Sequence, residues 1–389
     1  TGFVTPVHGE KIASIYRSAL KVGAPVIGVL NSKGMRVTDG LKCVEAYGRI
    51  FQAKARAKGQ IAQISIITGG CMGIASWIPA MSDFVYALPD VDFFMMSPNT
   101  YEKSFPAAAG EEKGAGRGPS AGREPRKPDC VIQCHPASEA ELIADLGVLM
   151  SLIPSNRLDK FKTETDDSPN REDANLGDPA DLTAIIASIA DNGVFAELGK
   201  TPAAGQEQAA RTCLCKCFGH TLGVIAVSGA LSSAALRKIN RLASFCASFG
   251  VAVLTLVNTE GFVAGDEDVI REGGRLMRTL ISAQSPKLCV ITGRAVGGAY
   301  MLLLSRHVGA DLVYAWSGAR VSLLNGEAER RVTAVVTELT PEEAGAFGYV
   351  DGVIYPGATR KRVAAALEML FTKSFQSTSA SSKFDYSVE

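Results

Sequence analysis

Two stretches of this chain repeat one another in order and chemistry, and that repetition constrains the fold more than any other feature. The first runs from Ala24 to Pro98 and the second from Val251 to Gly326. Each opens on an apolar run, Pro25–Leu30 and Val251–Val257, of the kind that forms a strand buried on both faces. Each run ends in a polar turn holding glycine, Asn31-Ser-Lys-Gly-Met35 and Asn258-Thr-Glu-Gly-Phe262. A helical segment follows. Leu41, Val44, Tyr47 and Phe51 form an apolar stripe at helical spacing in the first copy, and Val269, Gly273, Leu276 and Leu280 do so in the second. Another buried strand comes next, Ile61–Ile67 and Lys287–Ile291. Both strands pass into glycine-rich turns, Thr68–Ile74 and Thr292–Ala299, and then into a short apolar helix. Both copies close on related strands, Ser82-Asp-Phe-Val-Tyr-Ala87 and Ala310-Asp-Leu-Val-Tyr-Ala315. Each copy therefore predicts β-α-β-turn-α-β. Alternating units of this type imply an α/β protein with largely parallel sheets covered by helices.

The polar, proline-bearing stretch 155–181 reads as a linker between an N-terminal half, 1–154, and a C-terminal half, 182–389. Phe105 to Lys127, rich in Gly, Ala, Pro and charge, reads as a mobile surface loop. Phe84 to Met96 reads as two buried strands around a turn at Pro89, Asp90 and Asp92. The chain does not begin with Met, and Thr1–Val7 reads as the end of an interrupted strand region, so preceding residues are expected. No run approaches the ~18 apolar residues that span a bilayer. With no signal-peptide pattern either, the expected location is cytoplasmic.

Lys plus Arg and Asp plus Glu balance at 40 each, which disfavours a nucleic-acid binder. Nine cysteines without framework spacing suit a reducing compartment. Cys213, Cys215 and Cys217 alternate along Thr212–Phe218, so they share one strand face, with Gly219-His220 making a hairpin turn. Small buried thiols suit such a face better than a metal does. Cys130 and Cys134 sit on a similar alternating stretch, and neither group contains a CxxC pair. The four histidines, at 8, 135, 220 and 307, include no metal-spaced pair, so no metal is expected.

A strand, a glycine-rich turn and a helix start together make a place for negative charge. The first N–H groups of a helix have no partner inside it, and the helix dipole adds partial positive charge there. Two such turns fit two oxyanion holes, in which backbone donors stabilise charge developing on an oxygen. Two equivalent holes suit a reaction in which two carbonyl groups each gain charge, and carboxyl transfer between a biotin and a thioester is such a reaction. The alternative is that the glycines only permit close helix–sheet packing. A dinucleotide loop is disfavoured, because GRAVGG lacks GxGxxG and follows the wrong strand of its unit.

Several segments occur in an order similar to that of the biotin-dependent carboxyltransferase subunits of acyl-CoA carboxylases, transcarboxylases and acyl-CoA decarboxylases. They are Arg241-Leu-Ala-Ser-Phe-Cys-Ala-Ser-Phe-Gly-Val251, Gly261-Phe262, Gly297-Gly-Ala-Tyr300 and Gly309-Ala-Asp-Leu-Val-Tyr-Ala-Trp316. Gly348–Ile354 and Thr359-Arg-Lys-Arg362 resemble that family's closing segment, and Gln63-Ile-Ser-Ile, Gly70-Cys71 and Pro79–Asp83 resemble its acyl-CoA half. The resemblance covers nearly the whole chain. It implies two tandem crotonase-like domains and backbone catalysis. The first hole would use Met35 with Gly73 and Ile74, and the second would use Gly261 or Phe262 with Gly298 and Ala299. Ligand-binding positions would fall on Gly34, Arg36 and Gly70 in the first half and on Gly297 and Tyr300 in the second. The implied ligands are a coenzyme A thioester on the N-terminal half and carboxybiotin, borne by a partner carrier domain, on the C-terminal half. The implied partners are a biotin carboxyl carrier protein, a biotin carboxylase or membrane decarboxylase subunit, and further copies of the chain as a dimer or larger homo-oligomer, up to a hexamer.

Departures from that pattern cluster at the first turn. Ser32-Lys-Gly-Met-Arg36 stands where the family has Ser-Gly-Gly-Ala-Arg, and Gly73-Ile74 stands where it has Gly-Gly. The β-branched Ile74 narrows the approach to its N–H. Glu260 replaces a proline. Two alternatives follow: a catalytically weak or non-catalytic assembly subunit, or a crotonase-type hydratase or isomerase. The latter needs a side-chain acid or base beside the hole, and no Glu immediately flanks either glycine-rich turn. Arg36 follows the hole-forming turn and offers a bidentate fork for an anion. Lys33 reads as a solvated charge, and for Lys238 and Arg241 a solvated helix face competes with CoA contact.

Overall fold

The structure, a computed structural model, describes residues 2–95, 131–159, 162–199, 209–333 and 337–373. The stretch Phe105–Lys127, together with Cys130, lies outside the described residues. The chain divides into two compact units, with the boundary between Leu146 and Gly147. Among the described residues no helix is long and apolar enough to cross a membrane.

Unit 1 runs β1 (Phe3–Val4), α1 (Pro6–Val22), β2 (Val26–Ser32), β3 (Gly34–Met35), α2 (Leu41–Ala57), β4 (Gln63–Met72), α3 (Trp77–Ala80), β5 (Phe84–Ala87) and β6 (Phe93–Phe94). Helix α4 (Glu139–Leu152) contains the boundary. The sheet order is β2-β4-β5, all parallel, with β6 pairing the far end of β4. Unit 2 begins with α5 (Leu182–Ile189), β7 (Phe195–Leu198), β8 (Ala210–Cys217) and β9 (His220–Ser228). It then repeats the pattern through α6 (Ser233–Phe249), β10 (Ala252–Thr259), α7 (Asp268–Ser282), β11 (Lys287–Val296), α8 (Gly297–Leu302), β12 (Leu312–Trp316) and β13 (Arg320–Ser322). The unit closes with α9 (Gly326–Thr333), α10 (Pro341–Ala346), β14 (Gly352–Ile354) and α11 (Thr359–Leu370).

The second sheet contains β10-β11-β12 in parallel, with β13 pairing the far end of β11, which is the order of the first. Even the irregularities coincide. The register shifts between Leu30 and Ser32 in one copy and between Val257 and Thr259 in the other. In both copies an aspartate clamps the start of the long strand. Asp83 accepts the Gln63 N–H and Asp311 accepts the Lys287 N–H, each at 2.8 Å.

The duplication begins earlier than periodicity alone suggests. Helices α1 and α6 have 17 residues each and start after Thr5 and Ser232. Both end at a left-handed glycine, Gly23 at φ 70° and Gly250 at φ 69°. Only glycine takes that conformation without cost, so both helices stop at the same place relative to the next strand.

Two expectations need correction. Helix α2 is present, but its buried face carries Cys43, Ala46, Tyr47, Ile50, Ala53 and Lys54. Leu41 is 84% exposed and Val44 46% exposed, so the face is rotated from the expected stripe. The hairpin between β8 and β9 turns on Phe218 and Gly219, at φ 51° and 76°, and not on Gly219 and His220. Two successive positive φ values match a primed two-residue hairpin turn, which leaves His220 paired with Cys217 inside the ladder. The alternation expected of Cys213, Cys215 and Cys217 holds along β8, where all three are buried, and Leu214 between them is buried too, because β8 is covered on both faces. Burial pushes the Cys217 thiol up to about 12.

The stretch 162–181 docks on unit 2 through Arg360 of α11. This buried guanidinium donates to the Ser168 carbonyl at 3.0 Å and to the Asp191 carboxylate at 2.7 Å. Asp191 in turn accepts the N–H groups of Phe218 and Gly219, both at 2.8 Å.

Candidate active site

Strands β4 and β11 each run without a break into a helical turn, and the junction residue is a glycine with positive φ. Gly73 sits at φ 63° and Gly297 at φ 52°. That backbone turns from strand to helical geometry within one residue, so the following N–H groups belong to a helix start. Ile74 and Ala75 follow in the first copy, and Gly298 and Ala299 in the second.

The second component of each site is the turn after β2 or β10. Gly34 at φ 88° and Gly261 at φ 121° occupy matching positions. A side chain at Gly34 would lie 3.0 Å from the Met72 carbonyl oxygen, so glycine lets this turn lie against the end of β4. The same device holds both turns. The Ser32 hydroxyl accepts the Gly34 N–H at 3.1 Å, and the Thr259 hydroxyl accepts the Gly261 N–H at 3.3 Å. Ser32 donates onward to the Gly2 carbonyl at 2.8 Å, and Thr259 to the Gly229 carbonyl at 2.9 Å.

An asparagine braces each turn from the side. The Asn31 amide oxygen accepts the Gly70 N–H at 3.3 Å, and the Asn258 amide oxygen accepts the Arg294 N–H at 3.0 Å. Gly69 and Gly293 leave room for those amides. A side chain at Gly69 would come within 2.6 Å of the Asn31 oxygen, and one at Gly293 would also collide with Asn258. Sequence reasoning quoted these asparagines and hydroxyls inside the polar turns without assigning them a task. Their recurrence at matching positions of the repeat is the signal that could have found them.

Met35 and Gly34 thus lie against the Met72–Gly73–Ile74 junction, and Gly261 and Phe262 lie against Gly297–Gly298–Ala299. A side chain at Gly298 would meet the Phe262 ring at 3.5 Å, an ordinary contact. Gly70 is placed differently: its N–H is occupied by Asn31, so its contribution is to the brace. Tyr300 is 7% exposed, and its hydroxyl lies toward Cys289 and Asp351 with no hydrogen-bond partner among the described residues. Burial pushes that hydroxyl far above the usual phenol range.

Arg36 and Glu260, near the turns, are each paired. Arg36 bonds Asp39 through Nε at 2.9 Å and through a second nitrogen at 2.8 Å, which holds its guanidinium above its usual range. Half of the Arg36 side chain remains exposed. Glu260, at the departure from proline, meets Arg294 at 3.2 Å. Among the described residues no group of three or more His, Cys, Asp and Glu side chains is arranged to hold a metal ion.

Each site therefore presents backbone donors at a strand-to-helix junction, a braced second turn beside them, and no clustered acid, base or metal. That arrangement resembles a helix start, where backbone donors lack internal partners. The family profile described as "Carboxyl transferase domain" matches residues 1–337. The chain belongs to the carboxyl transferase domain family.

Similar proteins agree along nearly the full length. The chain is 30% identical over 403 residues to the methylmalonyl-CoA decarboxylase subunit alpha of Veillonella parvula, covering 96% of this chain and 78% of that protein. It is 32% identical over 414 residues to the propionyl-CoA carboxylase beta chain of Roseobacter denitrificans, covering 96% and 79%. Among solved structures, the transcarboxylase 12S hexamer with methylmalonyl-coenzyme A and methylmalonic acid bound superposes with a TM-score of 0.81 at 26% identity, covering 95% of this chain and 77% of that one. The crotonase-like α/β fold and the assignment as a biotin-dependent acyl-CoA carboxyltransferase stand with that membership.

Proposed function

We propose that the chain moves a carboxylate between carboxybiotin and a short acyl-CoA of the propionyl or methylmalonyl type, using two backbone oxyanion holes. The observation that carries this reading is the paired construction of the two junctions. A duplicated fold preserves twin glycine angles, twin hydroxyl clamps and twin asparagine braces where both copies do the same kind of work. Packing alone would not require both asparagines to hold the strand ends open beside the turns.

In this reading, N–H groups of Met35 and Ile74 hold the thioester oxygen as it gains charge, with Gly73 forming the junction as Gly297 does in the second copy. N–H groups of Phe262, Gly298 and Ala299 hold the ureido oxygen of the biotin ring, while the Gly261 N–H, held by the Thr259 hydroxyl, fixes the turn. Carboxybiotin, when bound, supplies the carboxyl group. The second junction fits such a ring: Gly298 has no side chain over its N–H, and the Phe262 ring stands beside it. The first junction presents Ile74 at the matching position, so it is the narrower of the two. Arg36, half exposed beside the first turn, is the group placed to meet a CoA phosphate or a substrate carboxylate. The work of the protein is to fix donors in advance, so that none must reorient as charge develops.

The relatives named above include a decarboxylase, a carboxylase and a transcarboxylase, which supports one shared transfer step run in different directions. The remaining partners are a biotin carboxyl carrier protein and further copies of this chain. In the assembly we propose, unit 1 of one subunit faces unit 2 of another, so that the two holes meet, and light scattering should report at least a dimer.

Gly298→Val tests the reading. The backbone there is not left-handed, and the added carbon meets only the Phe262 ring, so the fold should survive. We expect carboxyl transfer to fall by about 10²-fold or more, the effect of losing one oxyanion donor. The melting temperature and the affinity for acyl-CoA should stay at parental values. Transfer at the parental rate in a folded variant would leave the glycine turns as packing devices. Absence of transfer in the parental chain itself would favour the non-catalytic assembly reading, for which Ile74 is the motivating feature.

A further inference from the structure

Helices α1 and α2 of unit 1 cross over a cleft of about 250 Å³. Its floor is Ala13 and Ala53. In unit 2 the matching residues are Asn240 and Thr279. The first match follows from the common capping of α1 and α6. The second follows from a shared contact one residue on: the Lys54 carbonyl accepts from the Gln63 side chain and the Leu280 carbonyl from the Lys287 side chain, both at 3.0 Å. Asn240 and Thr279 hydrogen-bond to each other at 2.7 Å and so fill the crossing. Replacing both by alanine opens it.

The rim of the open cleft is basic. Arg17, Arg49 and Arg56 line it with one carboxylate, Glu10. Glu10 takes one N–H from Arg17 at 2.6 Å and one from Arg49 at 2.9 Å, and Glu45 takes another from Arg49 at 2.7 Å. A guanidinium has five donors, so both arginines keep donors for a further acceptor while Glu10 holds them in place. Arg56 is exposed and forms no side-chain bond or ion pair among the described residues. It is the uncompensated positive charge of the cleft.

We propose that this cleft binds a small phosphate-bearing anion. A phosphate monoester offers three terminal oxygens to three guanidinium forks, whereas a carboxylate offers two oxygens and leaves one fork unmet. The volume lies just below the roughly 300–1,000 Å³ of drug-sized pockets, which limits the ligand to a phosphate on a small body. That body would rest on Ala13, Ala53 and Leu20. Two sources share this chemistry, the phosphates of the acyl-CoA substrate and a separate small metabolite.

The test is calorimetric titration of the full chain with phenyl phosphate at fixed ionic strength, with benzoate as the carboxylate control. The parental chain should bind phenyl phosphate saturably and benzoate at least tenfold more weakly. Arg56→Ser, which installs the residue of the second copy, should weaken phosphate binding about tenfold, the worth of a charge-assisted hydrogen bond. The pair Ala13→Asn with Ala53→Thr should abolish it by closing the cleft. If that buried pair fails to fold, Arg56→Ser at the surface still decides. No saturable binding, equal binding by parent and Arg56→Ser, or benzoate binding as tight as phenyl phosphate would each overturn the proposal. Repeating the titration with acyl-CoA present separates the sources. Displacement, with a raised KM for acyl-CoA in Arg56→Ser, identifies the substrate's own phosphate, and independent binding identifies a separate ligand.

Discussion

In unit 1 the contacts around Lys54 are polar, and in unit 2 the matching positions are apolar. Lys54, 1% exposed, donates to the Tyr16 hydroxyl at 3.0 Å and to the Ser82 hydroxyl at 2.9 Å, and Ser82 meets Ser65 at 2.8 Å. The matching residues of unit 2 are Leu280, Ala243, Ala310 and Cys289, all buried. These matching positions use opposite chemistry beneath junctions whose glycine angles, hydroxyl clamps and asparagine braces agree. The difference teaches which parts of the duplicated unit are constrained. A core tolerates a lysine when it finds hydrogen-bond partners there. A backbone donor aimed at a ligand tolerates no such exchange, because its position depends on the turn itself. The strands differ too. Leu254 and Leu256 of β10 are fully buried, each contributing roughly 2 kcal/mol by burial. Ile27 and Val29 of β2 are 44% and 64% exposed, because α5 and α11 pack on that face of the second sheet and the described residues of unit 1 supply no counterpart.

The comparison breaks most sharply at the junction glycines themselves. Both are left-handed, but their neighbours differ. A side chain at Gly297 would lie 2.5 Å from the Leu323 carbonyl oxygen, whereas one at Gly73 would meet only the Met95 carbonyl oxygen at 3.8 Å. Gly297→Ala should therefore cost about 3 kcal/mol or more, combining left-handed strain with a backbone clash. Gly73→Ala should cost about 1 kcal/mol, the conformational part alone. Denaturant midpoints of the two variants measure this directly, and equal losses would mean that the junctions are not distinguished by that clash. For the same reason Gly73→Val confuses strain with function, and Ile74 is the better probe of the first hole.

The polar cluster around Lys54 has its own signature. Burial depresses the Lys54 ammonium to about 8, with the Asp83 carboxylate opposing that shift. The unfolded lysine titrates near 10.4, so between about pH 8 and 10.4 the unfolded chain binds the extra proton and the folded chain does not. Stability should therefore rise with pH through that window, and the cost of charging Lys54 is fully present below it. The neighbouring Tyr16 hydroxyl is pushed upward by burial and stays protonated there. Denaturation at pH 7.5 and at pH 10 should show the parental chain gaining up to about 2–3 kcal/mol relative to Lys54→Leu, which imitates unit 2. A flat difference across that range would show that the lysine is not desolvated.

The smallest effect is kinetic. Ile74→Gly makes the first junction match the second and should raise kcat/KM for acyl-CoA by a few-fold, by uncovering one donor that the β-branched side chain narrows. A fall in kcat/KM would indicate that Ile74 packs against the acyl group instead.

Much of this was legible beforehand because it is local. The strand runs, the positions of the glycine turns and the alternation of Cys213, Cys215 and Cys217 all follow from neighbours in sequence. The early start of the repeat at α1 was missed because capping residues differ in identity, Thr5 against Ser232, while performing the same role. The face of α2 was misread because Leu41 and Val44 look like core residues, and nothing nearby in sequence says that Cys43, Ala46 and Lys54 point inward.

The sequence by itself determined that one βαβ unit occurs twice and that each copy carries a strand, a glycine and a helix start in that order. Those are properties of a few consecutive residues, set by sterics and periodicity. Only the tertiary structure decided that Asn31 meets Gly70, that Asn258 meets Arg294, that Lys54 reaches Ser82 and that Arg56 stands unpaired over an open cleft. Each of those facts joins elements far apart in the chain. The side-chain geometry that makes them exists only once the strands have paired and the helices have crossed.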